Sequence, residues 1–230
     1  MPDTHGGNIF KFSHDHKINL SEVTDFSANI NLLGPSPKGL EALNERLRYI
    51  SHYPDVTNDD VMNTIADVYG IEKDSILLGN GAAELIYAVG RLSGFTGAFV
   101  PAPGFSEYQA SMDAANIPVR EIFYRQRQND DGTPYFEVPY LALQTFAAEL
   151  KGQDGRIIVF LGNPNNPDGT LLDKQSIKVL AQMLKDANSL LVIDESFIDF
   201  IGNESLRDNS HSMRELINQY DNVIIVHSFT

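Results

Sequence analysis

The stretch Ile157–Gly169 reads I-I-V-F-L-G-N-P-N-N-P-D-G, an apolar run followed by a loop of glycine, asparagine and proline. Short runs rich in Ile and Val are typical of strands that are buried on both faces. The prolines of the loop restrict the backbone, so the asparagine amides are held in fixed directions. A simple turn does not require this rigidity. The stretch therefore predicts a buried strand that ends in a binding loop.

The alternation of apolar runs and helical patterns extends in both directions from this stretch. Four further runs predict strands, namely Ile76–Leu78, Ala98–Val100, Leu190–Ile193 and Val223–Val226. Helical patterns separate them, one beginning near Ala82 and others at Ser106–Ala115, Phe136–Lys151 and Lys174–Asp186. Strands separated by helices are typical of parallel sheets. We therefore predict an α/β fold with a mostly parallel sheet covered by helices.

The first 75 residues do not follow this alternation. They contain a start with glycine and histidine, an extended segment at Asp25–Ser36, and helical patterns at Pro37–Ile50 and Asp59–Tyr69. We assign residues 1–36 to an N-terminal arm and residues 37–230 to a large domain that is incomplete at its C-terminal end.

The composition of the 230 residues narrows the class of protein and of partner. A net charge of −14 argues against nucleic acid or an anionic membrane as a partner. No apolar run is long enough to cross a bilayer, and no signal peptide is visible. The absence of cysteine excludes disulfides and thiolate chemistry within these residues and is typical of a cytoplasmic protein. We predict no metal site, and an anionic ligand must be held by local dipoles and a few cations.

Polar motifs follow the predicted strands, at the ends where a doubly wound sheet binds its ligands. The glycines of Gly79–Glu84, G-N-G-A-A-E, let backbone N–H groups at a helix N-terminus approach an anion. Phe105 in P-G-F-S-E-Y could stack on a flat ring, and Asp194 needs a partner at the end of a buried strand. Each motif alone can also be a turn, a core aromatic or an N-cap. Their order along the chain favours one ligand site.

In this order the motifs resemble the fold-type I, aspartate-aminotransferase-like family of enzymes, over nearly the whole chain. The resemblance implies that Asp194 pairs with the pyridine nitrogen of pyridoxal 5'-phosphate (PLP), that Asn166 contacts the ring hydroxyl, and that Phe105 stacks on the ring. It implies a site for the cofactor phosphate built from five residues: Gly81, Ala82, Ala83, Ser228 and Thr230.

Two further features follow from the same resemblance. Tyr53 in S-H-Y-P-D resembles the tyrosine that reaches the cofactor of the partner subunit, which implies a homodimer. The run that ends in S-F-T at Thr230 resembles the segment before the family's Schiff-base lysine. We therefore expect the protein to continue past Thr230 with that lysine.

Two N-terminal motifs narrow the resemblance further. T-H-G-G-N-I at Thr4–Ile9 and D-F-S-A-N-I-N at Asp25–Asn31 resemble those of the L-threonine-O-3-phosphate decarboxylases of cobalamin biosynthesis. The resemblance implies decarboxylation to (R)-1-amino-2-propanol O-2-phosphate, with substrate contacts from His5, Gly6, Asn29 and Asn166. From composition alone, H-G-G-N is a flexible tail.

Three positions depart from the family pattern. Phe197 replaces a tyrosine of many members, Ala83 replaces a hydroxyl residue, and Asp168 replaces a threonine and adds negative charge near the site. Two alternatives therefore stay open. One is a histidinol-phosphate or related class I/II aminotransferase with the same ring contacts, and the other is a fragment that does not catalyse.

Overall fold

The computed structural model describes residues 6–31, 33–138, 140–150, 155–201 and 210–229. It divides into two compact units, Met1–Thr57 and Asn58–Thr230, which we call the N-terminal unit and the sheet unit. This boundary lies beyond residue 36, where the sequence analysis ends the arm. The arm of residues 1–36 and the large domain of residues 37–230 therefore stay a prediction.

The N-terminal unit contains helix α1 (Ile9–His16) and helix α2 (Pro37–Arg46). The Asn8 side chain caps α1 by accepting a hydrogen bond from the backbone N–H of Lys11 at 3.1 Å. Pro37 occupies the first turn of α2, where its missing N–H costs nothing. None of the described side chains of this unit is buried.

The sheet unit is built on a parallel sheet of five strands in the order β2-β1-β5-β6-β7. These strands are β1 (Phe95–Ala102), β2 (Val119–Phe123), β5 (Arg156–Gly162), β6 (Leu190–Asp194) and β7 (Val223–Val226). Its helices are α3 (Asp59–Tyr69), α4 (Gly81–Val89), α5 (Ser106–Ala114), α6 (Tyr140–Leu150) and α7 (Lys174–Asp186). The predicted α/β fold is confirmed.

Both faces of the sheet are covered, which explains the continuous apolar runs of its central strands. One face packs against α6 and α7, and the other packs against α4 and α5. In α7 the buried residues follow a helical period: Ile177, Leu180, Ala181 and Leu184. Burial of each large apolar side chain contributes about 1.5–3 kcal/mol, so this stripe fixes α7 on the sheet.

Three parts of the fold differ from the predictions, and the first is strand β2, which has no counterpart among the predicted strands. Residues 134–137 form strand β4 (Pro134–Glu137), which pairs with β3 (Arg125–Gln128) in an antiparallel hairpin, so the helix begins at Tyr140 and not at Phe136. The loop with Asn129, Asp131 and Gly132 closes this hairpin through hydrogen bonds from Asn129 N–H to Thr133 O and from Gly132 N–H to Asn129 O.

The predicted strand at Ile76–Leu78 is not a strand in the described residues. Its side chain at Leu77 is 72% exposed, and the segment borders an apolar cavity of about 460 Å³ that β7 also lines. A strand needs a neighbour to accept and donate its backbone hydrogen bonds, and within the described chain this segment pairs with none. Apolar composition alone therefore gave the wrong assignment here.

Within the described residues, no helix is both long and apolar enough to span a membrane.

Candidate functional site

The carboxyl ends of the parallel strands meet at one edge of the sheet, where Asp194 and the loops that contain Phe105 and Asn166 follow their strands. In the strand register Gly162 lies opposite Asp194, and Asp194 lies opposite Val226. The backbone pairing between these strands continues for one more residue at their carboxyl ends. Asn163 N–H donates to Asp194 O at 2.8 Å, and Glu195 N–H donates to Val226 O at 2.8 Å. Asp194 therefore lies between the ends of β5 and β7 at this edge.

The side chain of Asp194 is buried and accepts two hydrogen bonds from neutral donors. Its Oδ1 accepts from the backbone N–H of Ser196 at 2.9 Å, and its Oδ2 accepts from the hydroxyl of Tyr108 at 2.7 Å. Only 7% of the residue is exposed. Among the described residues, no lysine, arginine or histidine forms a salt bridge with it. A buried carboxylate with neutral partners favours a cationic ligand at the same place.

Tyr108 is a site residue that the sequence analysis missed. It lies on α5, is buried, and stacks on Phe160 with ring centroids 5.0 Å apart and planes inclined by 13°. Burial, followed by the charge of Asp194, raises the pKa of Tyr108 well above its usual value, so the hydroxyl stays a hydrogen-bond donor. The sequence does contain one indication of this role. Tyr108 lies three residues after Phe105, so both residues are on the same side of a helix that starts at a strand end.

Phe105 immediately precedes α5 and is half-buried. Its ring meets the ring of Tyr108 edge-on, with centroids 5.6 Å apart and planes at 85°. This arrangement is one of the two favoured aromatic geometries and fixes the direction of the Phe105 ring. The aromatic residue predicted to stack on a ligand ring is thus near the same strand edge as Asp194.

The loop after β5 is held by its own polar side chains. Asn165 Nδ2 donates to Pro103 O at 3.0 Å and to Asp168 Oδ1 at 2.8 Å, which ties this loop to the loop after β1. Asp168 also accepts from the hydroxyl of Thr170 at 2.8 Å. Asp168, whose negative charge departs from the family pattern, therefore stabilises the loop in which it lies. Asn166, between these residues, is half-buried in a turn.

The N-terminus of α4 offers backbone donors for an anion. Gly81 begins the helix with φ of +79°, and a Cβ there would meet nothing within 4 Å, so the space beside it is open. The first helical turn leaves backbone N–H groups without helical acceptors, among them those of Ala82 and Ala83. Glu84 accepts from the N–H of Asn80 and satisfies one donor before the helix. The predicted anion site is consistent with this geometry.

The segment after β7 is anchored through His227. Its Nε2 lies 3.0 Å from the Tyr69 hydroxyl and 3.2 Å from Asp199 Oδ2. Burial, opposed by the charge of Asp199, lowers the pKa of His227, so the ring is neutral near pH 7. Ser228 follows directly and is half-buried, while Thr230 lies outside the described residues.

Glu195, the neighbour of Asp194, is fully buried and has a structural role. Its carboxylate accepts from the hydroxyl of Ser212 at 2.6 Å and from the N–H of Met213 at 2.5 Å. Burial raises the pKa of Glu195 against the effect of these hydrogen bonds. The two donors hold the chain before β7 against the end of β6.

Tyr53 and three of the four predicted substrate residues, His5, Gly6 and Asn29, belong to the N-terminal unit, whereas Asn166 belongs to the sheet unit. Gly6 and Asn29 are exposed there, and His5 lies outside the described residues. The two motifs that contain Gly6 and Asn29 meet, because the N–H of Gly7 donates to Ser27 Oγ at 2.8 Å. Tyr53 is 99% exposed.

Comparison with known proteins shows which family the sequence of this chain matches. The sequence profile of the aminotransferase class I and II family matches residues 21–230. The adenosylcobalamin biosynthesis bifunctional protein CobDQ of Leptospira interrogans is 37% identical over 91% of this chain and 23% of its own length. The threonine-phosphate decarboxylase of Salmonella typhimurium is 32% identical over 90% of this chain and 55% of its own.

A solved structure agrees with the observed fold. The histidinol-phosphate aminotransferase of Clostridium acetobutylicum superposes with a TM-score of 0.72 and 26% identity, over 90% of this chain and 56% of that one. The chain thus spans about half of the length of the Salmonella and Clostridium proteins, and less of the bifunctional one.

Proposed function

The chain belongs to the aminotransferase class I and II family, and on that premise we propose that it forms the PLP-binding part of a decarboxylase. The proposed substrate is L-threonine O-3-phosphate, and the product is (R)-1-amino-2-propanol O-2-phosphate for cobalamin biosynthesis. The names of the Leptospira and Salmonella relatives support this substrate and pathway.

The described residues fit PLP. Asp194 is a buried carboxylate whose donors are both neutral, so a protonated pyridine nitrogen would complete its environment. The open space beside Gly81 and the N–H groups of the first turn of α4 would receive the phosphate. Phe105 would stack on the ring, and Asn166 would donate to the ring hydroxyl. Ser228 and Thr230 would add hydroxyl contacts to the phosphate.

In the proposed reaction, the bound cofactor supplies an electron sink for the pair left behind when CO₂ departs. The residues of the chain would determine how strongly the cofactor ring accepts this electron pair. Asp194 would hold the protonated pyridine nitrogen through a charge-assisted hydrogen bond and so strengthen the electron sink that the cofactor would supply. A proton then adds to the carbon that lost CO₂, so the amino group stays on the product.

One observation supports a phosphorylated substrate. The two N-terminal motifs contact each other. Gly6 and Gly7 line a cavity of about 630 Å³ together with Asp25 and Ser27. Gly6 packs so closely on Ser27 that an added Cβ would lie 1.7 Å from the Ser27 carbonyl oxygen. Backbone N–H groups and the Asn29 amide would donate to a dianion at this cavity, whose lining also includes Lys11, Asp15 and Asp25. His5 and Asn29 complete the proposed phosphate contacts.

A second candidate is a histidinol-phosphate aminotransferase that uses the same ring contacts. The Clostridium structure supports it, and so does the position of Asp194, which serves either reaction. A fragment without catalysis is the remaining alternative. We further propose a homodimer, in which the exposed Tyr53 reaches the partner's cofactor, and a cytoplasmic location, which the absence of cysteine supports.

The decisive experiment supplies carboxyl-labelled L-threonine O-3-phosphate to the full-length protein, with and without 2-oxoglutarate. Release of labelled CO₂ that does not depend on the oxoacid is the expected result. Formation of glutamate from histidinol phosphate would instead establish the aminotransferase. Borohydride reduction and peptide mapping of the full-length protein should also give a pyridoxyl-lysine, and an unmodified protein would support the non-catalytic alternative.

A further inference from the structure

We propose that Tyr108 is a positioning residue that fixes the Asp194 carboxylate against the pyridine nitrogen of PLP. The inference rests on the proposed function, because it assumes that Asp194 binds this nitrogen. It assigns a role to a side chain that has no place among the predicted cofactor contacts. Tyr108 would act through Asp194 and need not touch the cofactor.

The position of the Tyr108 hydroxyl is determined by the packing of its ring. The residue is 2% exposed, Phe160 stacks on one face at 5.0 Å, and Phe105 meets it edge-on at 5.6 Å. Rotation of the ring away from Asp194 would break both aromatic contacts. The hydroxyl is therefore held 2.7 Å from Asp194 Oδ2 by the packing of its own ring.

The hydrogen bond also determines which lone pairs of Asp194 stay available. Ser196 N–H occupies Oδ1 from the chain itself, and the Tyr108 hydroxyl occupies Oδ2 from α5. A carboxylate accepts about four hydrogen bonds, so a further donor can still bind. A hydrogen bond donated to a carboxylate stabilises its anionic form. A carboxylate stabilised in this way leaves a proton that it shares with a pyridine on the pyridine nitrogen. Tyr108 thus controls the direction of the Asp194 carboxylate and occupies one of its acceptor positions.

The test compares Tyr108→Phe with the wild type as full-length holoenzymes that contain PLP labelled with ¹⁵N in the pyridine ring. Removal of the hydroxyl should move the ¹⁵N resonance from the protonated range toward the neutral range. The dissociation constant of PLP, measured by equilibrium dialysis, should rise about tenfold, as expected for loss of one hydrogen bond to a charged group. kcat should fall with little change in KM, because the substrate contacts remain.

Tyr140→Phe is the matched control. It also removes a tyrosine hydroxyl that donates at 2.9 Å, but to Ser176 O at the start of α7, and it should leave the ¹⁵N resonance unchanged. If Tyr108→Phe does not fold, fluorotyrosine at position 108 replaces it. That residue keeps the hydroxyl as a stronger donor and should move the resonance further into the protonated range.

The outcomes separate this inference from the proposed function. A wild-type protein that binds no PLP refutes the proposed function. A wild type with a protonated nitrogen and a Tyr108→Phe variant with the same resonance and the same affinity refutes the inference alone. A resonance shift in Tyr108→Phe that is absent from the control Tyr140→Phe supports it.

Discussion

Gly6 lies so close to Ser27 that an added Cβ would be 1.7 Å from the Ser27 carbonyl oxygen. Gly6→Ala must therefore separate the two N-terminal segments or shift both. If these segments bind the substrate phosphate, KM for L-threonine O-3-phosphate should rise about tenfold to 100-fold, the equivalent of one charge-assisted hydrogen bond. Steady-state kinetics measures this change, and bound PLP should be retained.

Gly39→Ala is the control for this change within the same unit. A Cβ at Gly39 would meet Ser36 Cβ at an ordinary 3.6 Å, in helix α2 where alanine is the better helix former. Its KM should equal that of the wild type. An unchanged KM in Gly6→Ala would remove the N-terminal motifs from the substrate site.

Asp194→Asn should keep the fold and lose most of the activity. The amide has nearly the same shape and can still accept from Tyr108, but it carries no charge to hold a proton on the pyridine nitrogen. Loss of a charged contact worth a few kcal/mol corresponds to roughly 10²–10⁴ in kcat. Near-normal turnover, with Asp221→Asn at the exposed surface as the control, would exclude the proposed role of Asp194.

The sequence predicts this site well where local chemistry and topology agree. The strand that precedes Asp194 is continuous in Ile, Leu and Val, and the polar residue after it must lie at the carboxyl edge. Asp194, Phe105 and the loop with Asn166 are found at that edge for this reason. Their roles stay predictions until a ligand or a variant is measured.

Other features depend on contacts that a local pattern does not contain. The Ile76–Leu78 run has strand composition but no strand beside it in the described chain, and pairing partners are a property of the tertiary fold. The hydrogen bond between Tyr108 and Asp194 joins residues 86 positions apart. Spacing within one helix can suggest that Tyr108 faces the site, but it cannot name the carboxylate that its hydroxyl meets.

Glu195→Ala should destabilise the sheet unit strongly. The substitution leaves the hydroxyl of Ser212 and the N–H of Met213 buried without their acceptor. Each unsatisfied donor costs about 1–3 kcal/mol, so the free energy of unfolding should fall by about 2–6 kcal/mol. Chemical denaturation measures this difference. Glu121→Ala, on the exposed side of β2, should change it by less than about 0.5 kcal/mol.

His227 should make stability depend on pH in the acidic range. Burial is the main cause of its lowered pKa, Asp199 opposes the shift, and Arg214 and Asp194 also act on the ring. The unfolded chain therefore binds a proton at a higher pH than the folded chain. The sign follows from linkage: stability is complete above the unfolded value of about 6.5 and is lost as pH falls through the folded value.

His227→Gln tests this dependence because glutamine does not titrate. The variant should be less stable than the wild type at pH 8, since it loses the contact with the Tyr69 hydroxyl at 3.0 Å. The difference in the free energy of unfolding between the two proteins should shrink as the pH falls from 7 to 5. Only in the wild type does the unfolded chain take up a proton at residue 227, which stabilises the unfolded state. Urea denaturation at several pH values measures it, with the exposed His14→Gln as the control. A constant difference across this range would show that His227 is protonated equally in the folded and unfolded chains, and burial would then not control its charge.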